Sequence, residues 1–366
     1  MPEPGTRRPL RSIQAARGLA ALAVVFYHDA LLFERGAGLV LFGGAGQYGY
    51  MGVPFFFVLS GFIIGYAHFA DLGRPDRLRR FLRKRFLRVY PLYWVLSALF
   101  ILAALAGMGE PDFSYAPAEL AQAHLLIHFL PSSGPPPLKV AWTLFYEVRF
   151  YLVFALAIVF PRATLWLASA WLTTIAALTP WNALSTEWLS YWNLAFPIGL
   201  LAYVLFKDLA PSAGPSICGV GIAAILAMIC FTPIPDFHGG RSVPMVGMMT
   251  GFAAMILGLA LVERERDVPI PRSLTFLGNA SFSLYLSHSA VISLAGSVVF
   301  QSNLLDILPA EVLFLPIVVL AVVGGLAVHV FIEGPLLSHL GVRIDARRRR
   351  LSETGPEGSN PSFARQ

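Results

Sequence analysis

The sequence predicts an all-α polytopic membrane protein with about ten transmembrane helices and both termini in the cytoplasm. Hydrophobic residues make up 56% of its 366 residues and charged residues only 13%. Ordinary soluble domains carry about 25% charged residues. The mean hydropathy is +0.66. A soluble core cannot absorb this much apolar surface, so the composition indicates a membrane protein.

Ten apolar segments account for the predicted helices, because a helix needs about 20 residues to cross the hydrocarbon layer. They lie at residues 12–33, 50–69, 89–107, 142–160, 163–179, 190–206, 216–232, 243–262, 277–299 and 312–333. Pro and Trp interrupt the fifth to seventh segments. The first segment follows Arg7, Arg8 and Arg11 without a clear small-residue cleavage site, so we expect a retained helix and not a signal peptide.

The basic residues indicate the topology of the chain. The net charge is +6, but the basic residues cluster at one predicted face of the membrane, which favours topology over nucleic-acid binding. The loop 70–88 carries Arg74, Arg77, Arg79, Arg80, Arg83, Lys84, Arg85 and Arg88, and the tail carries Arg343 and Arg347 to Arg350. The predicted outer loops carry only Arg35, Lys139 and Arg241. An even number of spans therefore fits best.

The organisation is one membrane domain, residues 1–340, followed by a basic and then disordered cytoplasmic tail, residues 341–366. The longest outer loop, 108–141, is rich in Pro and Ser. It is either a lid, an acceptor surface or a solvated connection. Cys218 and Cys230 are about 18 Å apart on one predicted helix, too far for a disulfide. No zinc-binding spacing is present, so we expect no metal site.

Ionisable residues inside the predicted spans mark a candidate functional path, because charge in hydrocarbon is costly. Arg17 and His28 lie eleven positions apart on the first helix. That spacing turns the helix by about three turns plus ~20°, so both side chains share one face, roughly 16 Å apart along the axis. Asp29 follows His28 but lies ~100° around the helix.

The fourth helix contains WTLFYEVRFYL, which places Glu147 and Arg149 in its outer half. We expect Glu147 to lie at the depth of His28 and to orient its ring or stabilise its protonated form. A neutral imidazole suits a general base near neutral pH. The alternative is a buried polar network that only holds the helices together.

Other polar residues fit weaker hypotheses. Arg85 and Arg88 share one helix face and have the forked donors that clamp phosphates, although a positive-inside anchor is the simpler interpretation. His288 lies in the ninth helix. His329 and Glu333 share a face of the tenth. Ser60-Gly61 removes side-chain bulk in mid-helix and permits close helix approach.

Five segments in order resemble the membrane acyltransferase-3 family between about Ser12 and Pro335. They are SIQAARGLAALAVVFYH with Arg17 and His28, GVPFFFVLSGFII with Ser60, RFLRVYPLYW with Arg85 and Arg88, WTLFYEVRFYL with Trp142 and Glu147, and LGNASFSLYLSH with His288 followed by EGPL. The details of the first and fourth resemble the exopolysaccharide O-acetyltransferase branch. EGPL lacks the basic residue that commonly follows the Glu in the family's closing motif.

The resemblance implies an enzyme that moves an acyl group, commonly acetyl from acetyl-CoA, onto a sugar hydroxyl of a surface or exported glycan. His28 and Glu147 are the implied catalytic residues. The predicted substrate- or donor-binding residues are Arg17, Arg85, Arg88, Trp142, Arg149, Ser60 and His288. His28 acts either as general base or as a nucleophile that forms an acyl-histidine.

The expected donor substrate is acyl-CoA, and no bound cofactor is expected. The expected acceptor is a glycan or lipid-linked glycan. We expect the protein to lie in the lipid bilayer of the inner (plasma) membrane and to work with polysaccharide synthesis or export machinery. Two functions from other classes stay open. A transporter or flippase of glycan or lipid precursors uses similar buried charges, and a structural partner of a polysaccharide synthase needs no catalysis.

Overall fold

The computed structural model describes residues 10–107, 113–129, 134–181, 187–232 and 242–340, and within them it is helical without a strand. This confirms the predicted all-α membrane fold class. The predicted tail, residues 341–366, lies outside the described residues, as do Arg7, Arg8, Arg241 and parts of the longest outer loop.

Twelve α-helices follow one another in the described ranges. They are α1 (Arg11–Ala37), α2 (Gly52–His68), α3 (Leu78–Leu105), α4 (Pro117–Leu125), α5 (Trp142–Val159), α6 (Pro161–Leu178), α7 (Ala195–Asp208), α8 (Gly214–Phe231), α9 (Ser242–Glu265), α10 (Arg272–Gln301), α11 (Ala310–Val328) and α12 (Gly334–His339).

Helices occupy all ten predicted positions, and eight of the described helical segments are long and apolar enough to cross a membrane. The helices α6 and α7 do not meet that criterion; α7 has only 14 residues. The count of ten spans and the side of each terminus therefore stay predictions. The two cysteines are free, as their spacing on α8 requires.

The helices α1 and α10 pack side by side and run in the same direction. A Cβ on Gly18 would lie 3.0 Å from the backbone nitrogen of Gly278, so the two backbones approach closely. The start of α1 has no side-chain cap of its own. Instead, the Glu263 carboxylate of α9 accepts hydrogen bonds from the backbone nitrogen and hydroxyl of Ser12. This acidic cap suits the positive end of the helix dipole.

The helices α2 and α7 also meet through glycine. A Cβ on Gly61 would meet the backbone of Phe196, and a Cβ on Gly199 would meet the backbone of Val58. The prediction that Gly61 permits close helix approach is thus confirmed, and the partner is α7. Before α2, a 3₁₀ stretch (Leu41–Met51) packs Gly49 against the backbone of α1. Small residues allow such contacts in membrane bundles.

The helix α3 begins eleven residues before the predicted span, because the basic run RRFLRKRFLR continues the same helix. Its middle contacts the predicted outer loop. Tyr93 Oη donates to the carbonyl oxygen of Ala123 at 2.9 Å, and Tyr90 Oη and Trp94 Nε1 donate to the next two carbonyls of α4. These bonds satisfy the free carbonyls at the end of α4. The end of α4 is therefore anchored to α3.

Candidate active site

A partly open cavity of about 310 Å³ lies between α1, α2, α3, α5 and α10. Most of its wall is apolar. Its polar wall comes from Gln14, Arg17, Ser60, Tyr66, Arg85, Arg88, Thr143, Glu147, Tyr151, Ser281 and Tyr285. Five of the nine predicted site residues therefore share one cavity, namely Arg17, Ser60, Arg85, Arg88 and Glu147. A pocket of this size holds a small ligand or one part of a longer one.

Arg17 lies in the cavity wall, and its hydrogen-bond partners among the described residues are neutral. Its Nη1 donates to Gln14 Oε1 at 3.0 Å, and its Nη2 donates to Ser281 Oγ of α10 at 3.0 Å. These two bonds fix the guanidinium group without neutralising it. Its positive charge is thus available to an anion in the cavity.

Arg85 and Arg88 project from adjacent turns of α3 into the same cavity. The Arg85 guanidinium lies 5.6 Å from the ring centroid of Tyr151, and its Nε has no hydrogen-bond partner among the described residues. The Arg88 guanidinium lies 4.8 Å from the ring centroid of Phe282 and donates to Glu333 Oε1 at 3.3 Å. Aromatic rings therefore hold both guanidinium planes in place. Of the two arginines, only Arg88 has a carboxylate partner in the described parts of the chain.

Glu333 is buried behind Arg88 at the end of a π-helical turn, His329–Glu333, that joins α11 to α12. Its Oε2 accepts from Ser283 Oγ at 2.6 Å and contacts His329 Nδ1 at 2.7 Å. The predicted shared face of His329 and Glu333 is confirmed. Such turns often occur at functional sites, and here the carboxylate fixes one arginine of the cavity.

Glu147 lies with Arg17 in the cavity and not beside His28. Its Oε1 accepts from Ser60 Oγ at 3.3 Å and from the hydroxyl of Tyr151. The expected contact with His28 does not occur. The reason is that α5 begins deeper than the sequence suggested. Thr143 at its start already contacts the hydroxyl of Tyr285, one turn before His288, so Glu147 lies a further turn away.

His28 instead meets the second predicted histidine across the α1–α10 interface. His28 Nδ1 lies 3.2 Å from His288 Nε2, and the ring centroids are 4.7 Å apart. His288 is fully buried, and its ring lies 5.9 Å from that of Tyr285, which lines the cavity. The pair therefore adjoins the cavity on the side away from Gln14 and Arg17 along α1 and α10.

Two predicted donor-binding residues lie apart from the cavity. Trp142 packs in an aromatic cluster, with its ring 5.7 Å from that of Trp192. Arg149 Nη1 donates to the backbone oxygen of Glu187 at 2.7 Å and to Asn193 Oδ1 at 3.0 Å. The structure thus places Arg149 where it ties α5 to the segment before α7.

Next to Arg149, His128 Nδ1 lies 3.5 Å from Arg149 Nη2. Burial lowers the pKa of His128, and Arg149 acts in the same direction while Glu187 opposes it. A neutral imidazole is the form that accepts a bond from Arg149. His128 is therefore part of the same structural clamp.

Sequence reasoning missed Tyr151, Thr143, Ser281 and Tyr285 in the cavity wall. A signal for Tyr151 was present, because it follows Glu147 by four positions and so shares its helix face. Ser281 and Tyr285 come next to Arg17 and Thr143 only through the packing of α10, and no spacing along the chain reveals that.

Comparison with known proteins gives one family across the whole domain. The sequence profile of an acyltransferase domain, acyltransferase-3, matches residues 10–333. The exopolysaccharide production protein ExoZ of Rhizobium meliloti is 27% identical over 312 residues, which cover 79% of this chain and 90% of the relative. The acyltransferase MdmB of Streptomyces mycarofaciens is 26% identical over 95% of both chains.

A third relative is longer than this chain. The peptidoglycan O-acetyltransferase OatA of Listeria monocytogenes is 26% identical over 80% of this chain and 51% of its own length. The chain therefore spans about half of that relative. No solved structure matches the chain.

Proposed function

From the premise that this chain belongs to the acyltransferase-3 family, we propose that it is a membrane O-acyltransferase that uses acyl-CoA. The acyl group, acetyl in the simplest case, passes from a donor at the cytoplasmic side to a sugar hydroxyl of a surface or exported glycan. The names of ExoZ and OatA support a polysaccharide or peptidoglycan acceptor. The plasma membrane, where such glycans are handled, is the proposed location, and synthesis or export machinery is the proposed partner.

The observation that carries the proposal is the charge of the cavity. Three guanidinium groups, those of Arg17, Arg85 and Arg88, line a space of about 310 Å³, and Glu147 is the only carboxylate among its lining residues. Arginine forks bind phosphate groups with two parallel hydrogen bonds. A cationic cavity favours an anionic ligand, so it fits the phosphates of coenzyme A better than a neutral substrate.

The shape of the cavity fits the thin end of the donor. Its volume is too small for the whole of coenzyme A but sufficient for an acyl group and part of the pantetheine arm. The phosphates are proposed to lie at Arg85 and Arg88, with the arm running along the face of α1 that bears Arg17 and His28. The apolar residues around the arm exclude water, which protects the thioester from hydrolysis.

His28 is the proposed catalytic residue at the far end of this path. In one mechanism, it takes the proton of the acceptor hydroxyl while the oxygen attacks the thioester carbon. In the other, it attacks that carbon itself and forms a transient acyl-histidine. In both, the C–S bond breaks, the proton ends on the thiol of coenzyme A, and the acceptor leaves as an ester.

The test measures transfer from labelled acetyl-CoA in membranes that contain the wild-type protein or His28→Ala, with the glycan of the host as acceptor. We expect labelling to disappear in His28→Ala at equal amounts of inserted protein. His339→Ala is the matched control, because His339 is exposed at the end of α12 and should leave labelling unchanged. Full labelling in His28→Ala would remove His28 from the mechanism. No labelling by the wild type would reject the proposed donor or acceptor.

A further inference from the structure

The two histidines at the α1–α10 interface form a directed chain of hydrogen bonds. His288 Nδ1 lies 3.1 Å from the carbonyl oxygen of Leu284, one turn earlier on α10. His28 Nδ1 lies 3.0 Å from the carbonyl oxygen of Val24, one turn earlier on α1. A carbonyl oxygen only accepts hydrogen bonds, so the ring nitrogen that faces each carbonyl has to carry the proton.

This geometry determines the tautomer of both rings. In neutral His288, the proton is on Nδ1 and Nε2 has a free lone pair. That lone pair lies 3.2 Å from His28 Nδ1, whose single proton is shared between the carbonyl oxygen of Val24 and His288 Nε2. In neutral His28, the lone pair is then on Nε2. Among the described residues, no hydrogen-bond partner lies against this nitrogen.

We infer that His288 is a positioning residue, which holds His28 in the tautomer with a free Nε2 and accepts a hydrogen bond from its imidazolium form. The chemical consequence rests on the proposed function. When Nε2 takes the acceptor proton, the positive charge strengthens the bond from His28 Nδ1 to His288 Nε2. A free Nε2 serves the acyl-histidine route equally, because that nitrogen is also the nucleophile.

The neighbouring carboxylates do not fill this role. Asp29 is next to His28 in the chain and fully buried, but neither of its carboxylate oxygens has a hydrogen-bond partner in the described parts of the chain. Glu147 bonds to Ser60 and Tyr151. A histidine therefore occupies the place that a carboxylate takes in most catalytic triads. A neutral acceptor leaves no net charge on the pair before the reaction, which suits a site inside the bilayer.

The direct test reads the tautomer without turnover. Protein labelled with nitrogen-15 histidine is reconstituted in lipid bilayers and examined by solid-state NMR, where protonated and bare ring nitrogens are well separated. The His28 signals are assigned by their loss in His28→Ala. We expect a protonated Nδ1 and a bare Nε2 in the wild type. In His288→Leu, His28 Nδ1 keeps the carbonyl oxygen of Val24 but loses its second acceptor, so we expect part of the population to change to the Nε2-protonated tautomer. In His288→Gln, whose amide oxygen accepts a bond, we expect the wild-type pattern.

Kinetics supply the second readout. A hydrogen bond to a charged group is worth about 10- to 150-fold in rate when it is lost. His288→Leu should lower kcat by that factor with little change in KM for acetyl-CoA, and His288→Gln should recover most of it. Ser287→Ala is the matched control, since Ser287 is buried on the same helix and, within the described ranges, its hydroxyl bonds to Ser283 of that helix alone. Its kcat should stay at the wild-type level.

The outcomes separate the inference from the proposed function. A wild-type His28 protonated on Nε2, or an unchanged His28 tautomer in His288→Leu, would overturn the role of His288 whatever the activity. The expected tautomers in a protein that transfers no acyl group would reject the proposed function and leave the positioning of His28 by His288 supported. An equal fall of kcat in His288→Leu and His288→Gln would also count against the inference.

Discussion

Single residues determine the chemistry of the cavity, and its arginines differ in their surroundings. Arg17 and Arg85 have no carboxylate partner among the described residues, whereas Arg88 is paired with Glu333. Ion pairs inside low-dielectric surroundings are costly to break on one side only. We therefore expect Arg85 and Arg88 to respond differently when their environments change, although both are proposed to hold phosphate.

Arg85→Gln should weaken donor binding. It removes a forked cation and retains a polar side chain of similar length, so we expect KM for acetyl-CoA to rise about 10- to 150-fold, the worth of a charged hydrogen bond. Steady-state transfer at varied acetyl-CoA measures this. Arg80→Gln is the control on the same helix, because Arg80 is exposed and does not line the cavity. An equal rise of KM in both variants would mean that only the general charge of the membrane face matters.

Glu333→Gln should disturb Arg88 and the end of α11 together. The substitution keeps the shape but removes the charge that Arg88 faces at 3.3 Å. We expect a loss of about 1–3 kcal/mol in the free energy of unfolding and a rise in KM for the donor. Thermal unfolding in detergent and donor kinetics measure the two effects. Glu311→Gln at the exposed start of α11 should change neither. Wild-type values for Glu333→Gln would contradict the assigned role.

At the scale of whole elements, the register between α1 and α10 brings the site residues together. Gly18 meets Gly278, Arg17 meets Ser281 and His28 meets His288, all within the same interface. The two helices run in parallel and lie close because glycine removes the side chains at the contact. One packing contact near the start of both helices therefore sets which residues of α10 face Arg17 and His28.

Gly278→Ala should separate these helices. The added Cβ would meet the carbonyl group of Gln14 closer than side chains normally lie, so the backbones have to shift. Overpacking of this kind costs about 1–3 kcal/mol. We expect a lower melting temperature and reduced transfer. The control is Gly219→Ala on α8, where no described atom outside the adjoining helix backbone lies within 4 Å of the new Cβ. Its stability should stay equal or rise slightly; a fall equal to that of Gly278→Ala would point to a general effect of removing glycine.

At the scale of the molecule, α6 and α7 decide how often the chain crosses the bilayer. Eight crossings without them and ten crossings with them are both even, so the side of the termini does not distinguish the two. The two counts differ in the side of the membrane on which the segment between α6 and α7 lies. Arg149 binds the backbone of Glu187, which places this segment near the first half of α5. Since α5 follows the predicted outer loop, we expect the segment on the outer side.

Cysteine labelling tests that topology. In a protein whose Cys218 and Cys230 are replaced by Ser, Glu187→Cys should react with a membrane-impermeant maleimide on intact cells. Asp76→Cys, in the basic loop before α3, is the control and should react only after permeabilisation; both native side chains are exposed. Labelling of Glu187→Cys only in permeabilised cells would favour eight crossings.

The sequence by itself determined the membrane class, the places of ten helices and the pairing of residues within one helix. Composition and helical period act locally along the chain, so the common face of Arg17 and His28 and the contact of His329 with Glu333 are both readable without a structure. The resemblance to a family of acyltransferases rested on local motifs for the same reason.

Only the tertiary structure decided which residues of different helices meet. Arg17 bonds to Ser281 across 264 positions, and His28 contacts His288 across 260. Glu147 lies beside Ser60 and Tyr151 instead of beside His28. The depth at which α5 begins moved Glu147 by about two turns relative to the prediction. Depth, tilt and register depend on close backbone contacts between distant segments, and in lipid these are set by packing, because hydrophobicity alone does not hold one helix against another.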